Sequence, residues 1–311
     1  MKHMRPIILI LGPTAGGKTT LAISLANELP GGGECIIADS MQVYRGMNIG
    51  TAKPTSEEQS QATHHLLNVA DPKEDGFSVE TWLTLAEEFI SDIRGRGKWP
   101  IVVGGTNLYV QSLLFGLFDG PDCDQEKRDV LNSLSNPELQ KRLHALDPVA
   151  AQRIHINDTR RLVRAIEVCE ATGEPLSSLQ SQWGRPMPRE DAVMIGLTWP
   201  VKTINRRINS RVHTMFEDGL LAEVTALQNQ LGKQASEALG YKQLLTYLRG
   251  ESTLDEAKEQ IKILTRRYAK QQRTWLRRFQ VLPTAHFIDM DNKGMQYALE
   301  QAVTHISTAT T

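Results

Sequence analysis

The first third of the chain alternates short apolar runs with stretches whose apolar positions repeat at helical spacing. Continuous apolar segments at 7–11, 35–38 and 101–103 predict strands that are buried on both faces. The segments 19–29 and 79–93 have the periodicity of amphipathic helices. Because strands that alternate with helices form parallel sheets, this region predicts an α/β core with helices on both faces of the sheet.

The pattern changes near residue 119. Helical periodicity continues to about residue 192, and no strand signal interrupts it. The run VMIGLT at 193–198 predicts a return to the sheet, and 285–290 is a candidate edge strand. We therefore predict a catalytic core made of 1–119 and 193–311, with an all-helical insertion at 120–192.

Composition narrows the class of protein. The 311 residues carry 35 Lys and Arg against 36 Asp and Glu, which is typical of a globular protein and excludes disordered and collagenous chains. The longest apolar runs are too short to cross a bilayer, and the start of the chain resembles no signal peptide. Cys35, Cys123 and Cys169 form neither a disulfide framework nor a zinc pattern, so we expect a cytoplasmic protein, which we take to be a monomer.

A glycine-rich segment follows the first predicted strand and opens the first predicted helix. It reads GPTAGGKT and matches G-x-x-x-x-G-K-[ST], a loop whose backbone N–H groups surround phosphate oxygens. Lys18 supplies a full positive charge, and the Thr19 hydroxyl suits Mg²⁺. The motif predicts a phosphate ligand without saying which ester; its candidate ligands are Gly12, Thr14, Ala15, Gly16, Gly17, Lys18 and Thr19.

Two polar residues follow the next strands. Asp39 ends the strand at 35–38, and the carboxyl ends of parallel strands face the ligand crevice, so Asp39 is a candidate general base or magnesium partner. The alternative is that Asp39 only caps a turn with Ser40. Thr106 follows the strand at 101–103 after two glycines, where its hydroxyl could orient a substrate.

Basic residues gather in two places. Between 260 and 280 there are seven cations and no acid, which favours a polyanionic partner over an ordinary solvated helix face. Tyr268 and Trp275 share the predicted apolar stripe with Ile261 and Phe279, so we interpret them as core anchors, with base stacking as the alternative. The seven cations are Lys262, Arg266, Arg267, Lys270, Arg273, Arg277 and Arg278.

The second basic cluster lies where a helix begins. Arg160, Arg161 and Arg164 follow Asn157 and Asp158, either of which can cap that helix. Cations at a helix N-terminus oppose its dipole, so they predict either a nucleic-acid phosphate or pairing with Glu167. Arg207 and Arg211, four residues apart, could reach a substrate phosphate or lie on the surface.

Six segments together resemble one known family, the bacterial tRNA dimethylallyltransferases, also called tRNA isopentenyltransferases. The resemblance implies a P-loop kinase-like core with a helical insertion that closes over the anticodon stem-loop. It also implies the reaction: a dimethylallyl group moves from dimethylallyl diphosphate to the exocyclic amine of the adenosine 3′-adjacent to the anticodon, and diphosphate is released. The segments are GPTAGGKT (12–19), ADSMQVYRGMNIGTAKP (38–54), VVGGTNLYV (102–110), NDTRRLVRAIEV (157–168), EALGYK (237–242) and RRYAKQQRTWLRR (266–278).

The resemblance also implies roles for individual residues. The phosphate loop would hold the diphosphate with Mg²⁺, Asp39 would accept a proton, Thr106 would line the reaction channel and Arg211 would neutralise the leaving diphosphate. Gln271 stands where the family usually has Arg, which leaves the phosphate contact of that position in doubt. The implied tRNA contacts are Asp39, Ser40, Met41, Gln42, Thr106, Arg128, Arg160, Arg161, Leu162, Val163, Arg164, Gly240, Tyr241, Lys242, Lys270, Arg273 and Arg277.

Three other functions compete with this interpretation. A small-molecule ATP-dependent kinase of the P-loop class would turn over ATP but leaves the acid-free basic segment unexplained. A prenyltransferase for free adenine nucleotides would need neither the insertion nor a basic face. A non-catalytic RNA-binding module would give no function to Lys18 and Asp39. A phosphate loop can hold a diphosphate directly, so the prenyl-transfer reaction itself does not require ATP.

Overall fold

The computed structural model describes residues 4–117, 120–121, 124–179 and 188–309. Within them lies a six-stranded sheet in which every strand pairing is parallel, as the alternating pattern predicted. The strands are β1 (Ile7–Leu11), β2 (Gly33–Ala38), β3 (His64–His65), β4 (Trp99–Gly104), β5 (Ala192–Thr198) and β6 (Ala285–Asp289).

The order of the strands in the sheet brings distant parts of the chain together. The order is β3-β2-β4-β1-β5-β6, so β1, β4 and β2 are neighbours although they are far apart in sequence. Every residue of β1 is buried, as expected for a strand covered on both faces. Ile10 pairs with Val103, and Ala38 pairs with Gly104, so the three strands end at the same edge of the sheet.

Fifteen helices occur in the described part of the chain, and none of these is long and apolar enough to cross a membrane. They are α1 (Lys18–Glu28), α2 (Ser56–Gln61), α3 (Val79–Gly95), α4 (Asn107–Phe115), α5 (Gln125–Asn132), α6 (Asn136–Leu146), α7 (Pro148–Arg153), α8 (Thr159–Thr172), α9 (Leu176–Leu179), α10 (Val201–Glu217), α11 (Leu220–Leu227), α12 (Lys233–Ser236), α13 (Tyr241–Leu248), α14 (Leu254–Phe279) and α15 (Met295–Ala309).

Side-chain caps explain where several helices begin. The Thr253 hydroxyl accepts a hydrogen bond from Glu256 N, and the Glu256 carboxylate accepts one from Thr253 N, which together form a capping box at the start of α14. At α8, Asp158 and not Asn157 is the cap, because its carboxylate accepts from Arg161 N. These caps satisfy N–H groups that the first helical turn leaves without partners.

The chain divides into two compact units, Met1–Ser112 with Arg189–Thr311 and Leu113–Pro188. The second unit overlaps the helical insertion predicted at 120–192, and it has its own core of buried residues that includes Leu139, Leu143 and Ile166. Inside it, the buried Asp147 carboxylate accepts hydrogen bonds from Ala150 N at 2.9 Å and Ser177 N at 2.7 Å. One carboxylate therefore caps α7 and also fixes α9.

Two of the three cysteines lie among the described residues. Cys35, in β2, and Cys169, in α8, are both buried free thiols. Burial raises the pKa of Cys35 to about 12, so this thiol stays protonated near neutral pH. Cys123 lies outside the described residues.

The buried face of α14 differs from the predicted apolar stripe. Tyr268 and Trp275 are only half-buried, so the interpretation of both as core anchors was wrong. Two polar residues, Thr265 and Gln272, occupy core positions because their side chains form hydrogen bonds there. The buried positions are Ala257, Ile261, Thr265, Ala269, Gln272, Leu276 and Phe279.

Because β2 pairs closely with β4, we predict that a methyl group added at Gly104 lowers the stability of the fold. A Cβ at Gly104 would lie 2.0 Å from the Ala38 carbonyl oxygen, which is backbone and cannot rotate away. We expect Gly104→Ala to lower the free energy of unfolding by about 2 kcal/mol or more, as overpacking does. The matched control is Gly95→Ala at the end of α3, where an added Cβ meets nothing within 4 Å. Urea denaturation compares the two, and equal midpoints would contradict the steric argument.

Candidate active site

The phosphate loop connects β1 to α1 at the edge where β1, β4 and β2 end. Gly17 is the N-cap of α1 with φ 88°, a left-handed conformation that favours glycine. The loop lines a cavity of about 910 Å³ together with the segment after residue 47 and α10. The cavity walls include Gly17, Lys18, Thr19, Lys53, Arg207 and Arg211.

Two half-buried cations lie at this loop. The Lys18 ammonium donates to the Pro13 carbonyl at 3.0 Å. Burial and the neighbouring Arg211 lower the pKa of Lys18 to about 8, and Asp39 opposes this shift. Burial also lowers the pKa of Arg211 to about 10, although Asp39 again acts in the opposite direction. This part of the site therefore favours an anion that can neutralise both cations.

Residues of α10 and the segment before it hold the loop in shape. Arg211 donates to the Thr14 hydroxyl, and Arg207 Nε donates to the Ala15 carbonyl at 2.8 Å. The Arg207 guanidinium lies 4.6 Å from the centre of the Trp199 ring, and the Trp199 indole donates to Gly16 O at 3.1 Å. Arg207 and Arg211 are thus at the phosphate loop, which was one of their two predicted positions, and they preorganise it for a ligand.

Asp39 and Thr106 lie at the ends of the two adjacent strands. Asp39 Oδ1 accepts from Met41 N at 3.0 Å, and Thr106 Oγ1 accepts from Ser40 N at 2.9 Å. Asp39 therefore does form the turn that was its alternative role. It also lies close enough to Lys18 and Arg211 to raise the pKa of both. The two roles are compatible, and the assignment of Asp39 as a base stays a prediction.

The segment after β2 is held by a carboxylate that the sequence did not reveal. Glu223, in α11, accepts from Ile49 N at 2.8 Å and Gly50 N at 3.0 Å, and the Tyr241 hydroxyl also donates to it. Tyr241 is 0% exposed, so its side chain supports this segment from inside and lacks the accessibility that a direct RNA contact needs. A glutamate surrounded by leucines and alanines had no distinctive sequence signal.

Lys53 is a third cation of the cavity, and it is almost completely buried. Its ammonium donates to Tyr44 O at 2.7 Å, Asn48 Oδ1 at 3.0 Å and Asn68 Oδ1 at 2.6 Å. Burial lowers the pKa of Lys53 to about 8. Because its ammonium already has three hydrogen-bond acceptors, Lys53 mainly stabilises the wall of the cavity.

The remaining predicted contacts in the core unit differ in accessibility. Ser40 and Met41 are half-buried, as is Gln42, whose amide donates to Thr51 O at 3.1 Å. Gly240 is the N-cap of α13, and Lys242 is exposed with its ammonium 2.7 Å from Glu237.

The seven cations between residues 260 and 280 all lie on α14 and are called here its basic face. Two of them have local partners. Lys262 forms an ion pair with Glu259 at 2.6 Å, and Arg266 donates to Asn209. Lys270, Gln271 and Arg277 are exposed. Arg273 is half-buried, and its Nη1 has no hydrogen-bond partner in the described residues. Burial, with a smaller effect of Arg277, lowers the pKa of Arg273, so this guanidinium would gain from an anionic partner.

In the insertion, two arginines lie against the carboxylate of Glu167. Arg128 donates to both oxygens of Glu167 at 2.6 and 2.7 Å, and Arg164 Nη1 lies 3.7 Å from the same carboxylate. Arg164 therefore pairs with Glu167. Arg160 and Arg161 are exposed at the start of α8, whereas Leu162 and Val163 are buried and lack the accessibility that a tRNA contact needs.

A metal ion has few protein ligands here. Across the described ranges no group of three or more His, Cys, Asp or Glu residues could hold one. The Thr19 side chain lines the cavity beside Lys18. Such a donor set fits a hard cation held chiefly by the oxygens of a bound phosphate ester, as Mg²⁺ commonly is.

Comparison with known proteins identifies the family. A family model described as IPP transferase matches residues 42–279, and one described as isopentenyl transferase matches residues 5–75. A protein of Acetivibrio thermocellus named tRNA dimethylallyltransferase is 44% identical over 286 residues, which are 89% of this chain and 90% of that protein. The chain belongs to the tRNA dimethylallyltransferase family.

Two solved structures have the same fold. The tRNA isopentenylpyrophosphate transferase of Bacillus halodurans is 38% identical with a TM-score of 0.71, and the match covers 98% of each chain. A eukaryotic dimethylallyltransferase, described as acting on tRNA, is 30% identical with a TM-score of 0.82. That match covers 98% of this chain and 80% of the eukaryotic one. The family resemblance and the P-loop kinase-like fold with its helical insertion are thus confirmed.

The lowered pKa of Lys18 predicts how diphosphate binding depends on pH. A bound diphosphate places negative charge beside the ammonium, so the pKa of Lys18 rises in the complex. Binding therefore keeps its full strength below pH 8, where Lys18 is already charged. Above that pH, affinity falls by up to about tenfold per pH unit, because binding must first protonate the amine. Calorimetric titration with isopentenyl diphosphate, which lacks the allylic system, measures this from about pH 7 to about pH 9.5.

The control for this prediction is Lys18→Arg, whose guanidinium stays charged over the same range. Its affinity should be independent of pH. An equal decline in the variant would assign the effect to another group, for which Lys53, with its pKa of about 8, is the first candidate.

Proposed function

We propose that this protein transfers a dimethylallyl group from dimethylallyl diphosphate to the exocyclic amine of the adenosine 3′-adjacent to the anticodon of tRNA. The observation that carries the proposal is the meeting of Lys18, Arg211 and Asp39 at one edge of the sheet. Membership of the tRNA dimethylallyltransferase family supports the substrate pair. The basic face of α14 supports a polyanionic acceptor.

The proposed reaction breaks one C–O bond and forms one C–N bond. The electron pair of the C–O bond stays on the diphosphate oxygen, so the allylic carbon becomes electron-poor, and Lys18 and Arg211 stabilise the negative charge that the diphosphate gains. The adenine amine supplies the electron pair of the new C–N bond, and Asp39 takes the proton that the amine loses. An adenine inside a base stack is out of reach, so the base must be flipped out of the stack before it reacts. Thr106, hydrogen-bonded to Ser40 N, would line the space in which the two substrates meet.

The proposal includes Mg²⁺ as the cation that accompanies the diphosphate. The Thr19 hydroxyl would be its protein ligand, and the diphosphate oxygens would supply other ligands. When bound, the ion adds positive charge on the diphosphate and so favours its departure. The small donor set around Thr19 supports a metal that arrives with the substrate.

The proposal extends to the compartment and the oligomeric state of the enzyme. A tRNA substrate and two buried free thiols suit the reducing cytoplasm. Every residue proposed for chemistry lies in one compact unit of a single chain, which supports a monomeric enzyme.

One assay distinguishes the proposal from its alternatives. Labelled dimethylallyl diphosphate is incubated with bulk tRNA, with AMP or with neither, and labelled ATP is followed in parallel. We expect label only in tRNA, without ATP hydrolysis. Label in AMP would identify an adenine-nucleotide prenyltransferase. Turnover of ATP without prenyl transfer would identify a small-molecule kinase.

Substitution of the proposed base predicts a loss confined to the chemical step. Asp39→Asn keeps the shape of the side chain and the acceptor for Met41 N but removes the proton acceptor. We expect kcat to fall by about 10²- to 10⁴-fold, the usual contribution of a general base, with both substrates still bound. Single-turnover and steady-state kinetics measure it. A loss that lies wholly in KM would make Asp39 a binding residue.

Substitution on the basic face of α14 predicts a change in salt dependence. The affinity for an anticodon stem-loop should fall with salt by a slope of roughly 0.7 to 0.9 per neutralised phosphate. Arg273→Ala should weaken binding about equally for all sequences and reduce that slope by about one unit. Fluorescence anisotropy at several salt concentrations measures both effects.

The matched control for this change is Arg249→Ala. Arg249 is exposed and donates to Glu251 at 2.5 Å, so it has a local partner. Arg160→Ala, at an exposed position of α8, tests the insertion in the same way. Parallel salt slopes for wild type and all three variants would contradict an RNA contact at both basic clusters.

A further inference from the structure

A buried glutamine connects the phosphate loop to the loop that carries Thr106. Gln272 lies in the middle of α14 and is 2% exposed. Its Oε1 accepts from Thr14 N at 2.7 Å, and its Nε2 donates to Gly105 O at 3.0 Å. These two hydrogen bonds, called here the Gln272 bridge, join segments that are 91 residues apart in the sequence, 105 less 14.

The orientation of this amide is dictated by its two neighbours. The Thr14 N–H can only donate, so it must face the amide oxygen, and the Gly105 carbonyl can only accept, so it must face the amide nitrogen. An amide is the side-chain group that offers one acceptor and one donor side by side. Glutamine is therefore matched to its position, and neither a carboxylate nor an apolar side chain can satisfy both partners.

The absence of a side chain at Gly105 allows the Gln272 amide to approach its backbone. A Cβ at Gly105 would lie 2.3 Å from Gln272 Nε2, so a side chain there would displace the amide. The Tyr268 hydroxyl, one helical turn before Gln272, donates to the same Gly105 carbonyl at 3.1 Å. Two donors from α14 thus converge on one backbone oxygen, immediately before Thr106.

The hydrogen bonds continue from Gly105 to the proposed base. Thr106 N donates to Ala38 O at 3.0 Å, and Thr106 Oγ1 accepts from Ser40 N at 2.9 Å. The two residues that Thr106 contacts lie on either side of Asp39 in the chain. Hydrogen bonds, joined by the Gly105–Thr106 peptide bond, therefore connect the phosphate loop through Gln272 to the backbone that carries Asp39.

We propose that Gln272 is a positioning residue, which sets the separation between the phosphate loop and the Thr106–Asp39 loops through the Gln272 bridge. On the proposed function, the phosphate loop holds the leaving diphosphate and Asp39 receives the proton, so their separation must fit the reacting atoms. This inference rests on that function. A displacement of about 1 Å can lower a rate by about 10²-fold, so the loss of the bridge should affect the chemical step.

Two variants of Gln272 test the bridge. Gln272→Met keeps the length of the side chain and removes both hydrogen bonds. Gln272→Glu keeps an acceptor for Thr14 N and replaces the donor to Gly105 O. Gln260→Met, at an exposed position of the same helix, is the control.

The expected kinetic result is a loss in kcat with little change in the KM for tRNA, because the exposed cations of α14 are retained. For Gln272→Met we expect kcat about 10²-fold lower, with the tRNA KM within about twofold of wild type. Gln272→Glu should lose less, and Gln260→Met nothing. A purely structural role would lower thermal stability without this split between kcat and KM. An unchanged kcat, or a loss wholly in the tRNA KM, would overturn the proposal.

Amide hydrogen exchange tests the same bridge without using activity. In Gln272→Met, the amide of Thr14 should exchange about tenfold faster, since its acceptor is gone, and the amide of Thr106 should also lose protection. In Gln272→Glu, the protection of Thr14 should remain and that of Thr106 should fall. If Gln272→Met does not fold, the Glu variant alone decides the result.

The two measurements separate this inference from the proposed function. A wild-type protein that transfers no prenyl group to tRNA would refute the function, and the exchange data would still decide whether the bridge exists. Unchanged exchange at Thr14 and Thr106 in a folded variant would refute the bridge, whatever the activity.

Discussion

The proximity of Lys18 and Arg211 at the phosphate loop governs how the rest of the site is built. Burial lowers the pKa of both groups, and Arg211 lowers that of Lys18 further. Keeping two such cations together costs free energy, which Asp39 offsets in part and a bound diphosphate would offset more fully. Arg207 and Trp199 bind the loop carbonyls, so the loop keeps its shape while it carries this charge.

The strand order determines where Asp39 lies relative to these cations. The phosphate loop follows β1 and Asp39 follows β2, with β4 between them. β4 ends at Gly104, and Gly105 separates it from Thr106. A side chain at either position would meet Ala38 O or Gln272 Nε2. The two glycines thus allow β2 and α14 to pack closely against the end of β4.

The sequence predicted the parallel core, the phosphate loop and the family because each leaves a local signal. Buried strands are continuous apolar runs, and the loop motif has fixed glycine and lysine positions. The environments of Gln272, Glu223 and Lys53 left no such signal, because a buried polar residue looks like a surface residue until its partners are known. In α14, this made the apolar stripe an incomplete guide: Thr265 and Gln272 are buried through hydrogen bonds, while Tyr268 uses its hydroxyl near the site.

The residues proposed for chemistry and the basic cluster of α8 belong to different compact units. Lys18, Asp39 and Arg211 all belong to the unit that also contains α14, whereas Arg160 and Arg161 belong to the insertion. On the proposed function, Arg160 and Arg161 are exposed cations that the insertion offers to RNA. Helix α14 serves both purposes, because its exposed Lys270 and Arg277 are available to a polyanion while its buried Gln272 connects the loops of the reaction site. On the proposed function, the two faces of one helix thus contribute a surface for RNA and a connection within the reaction site.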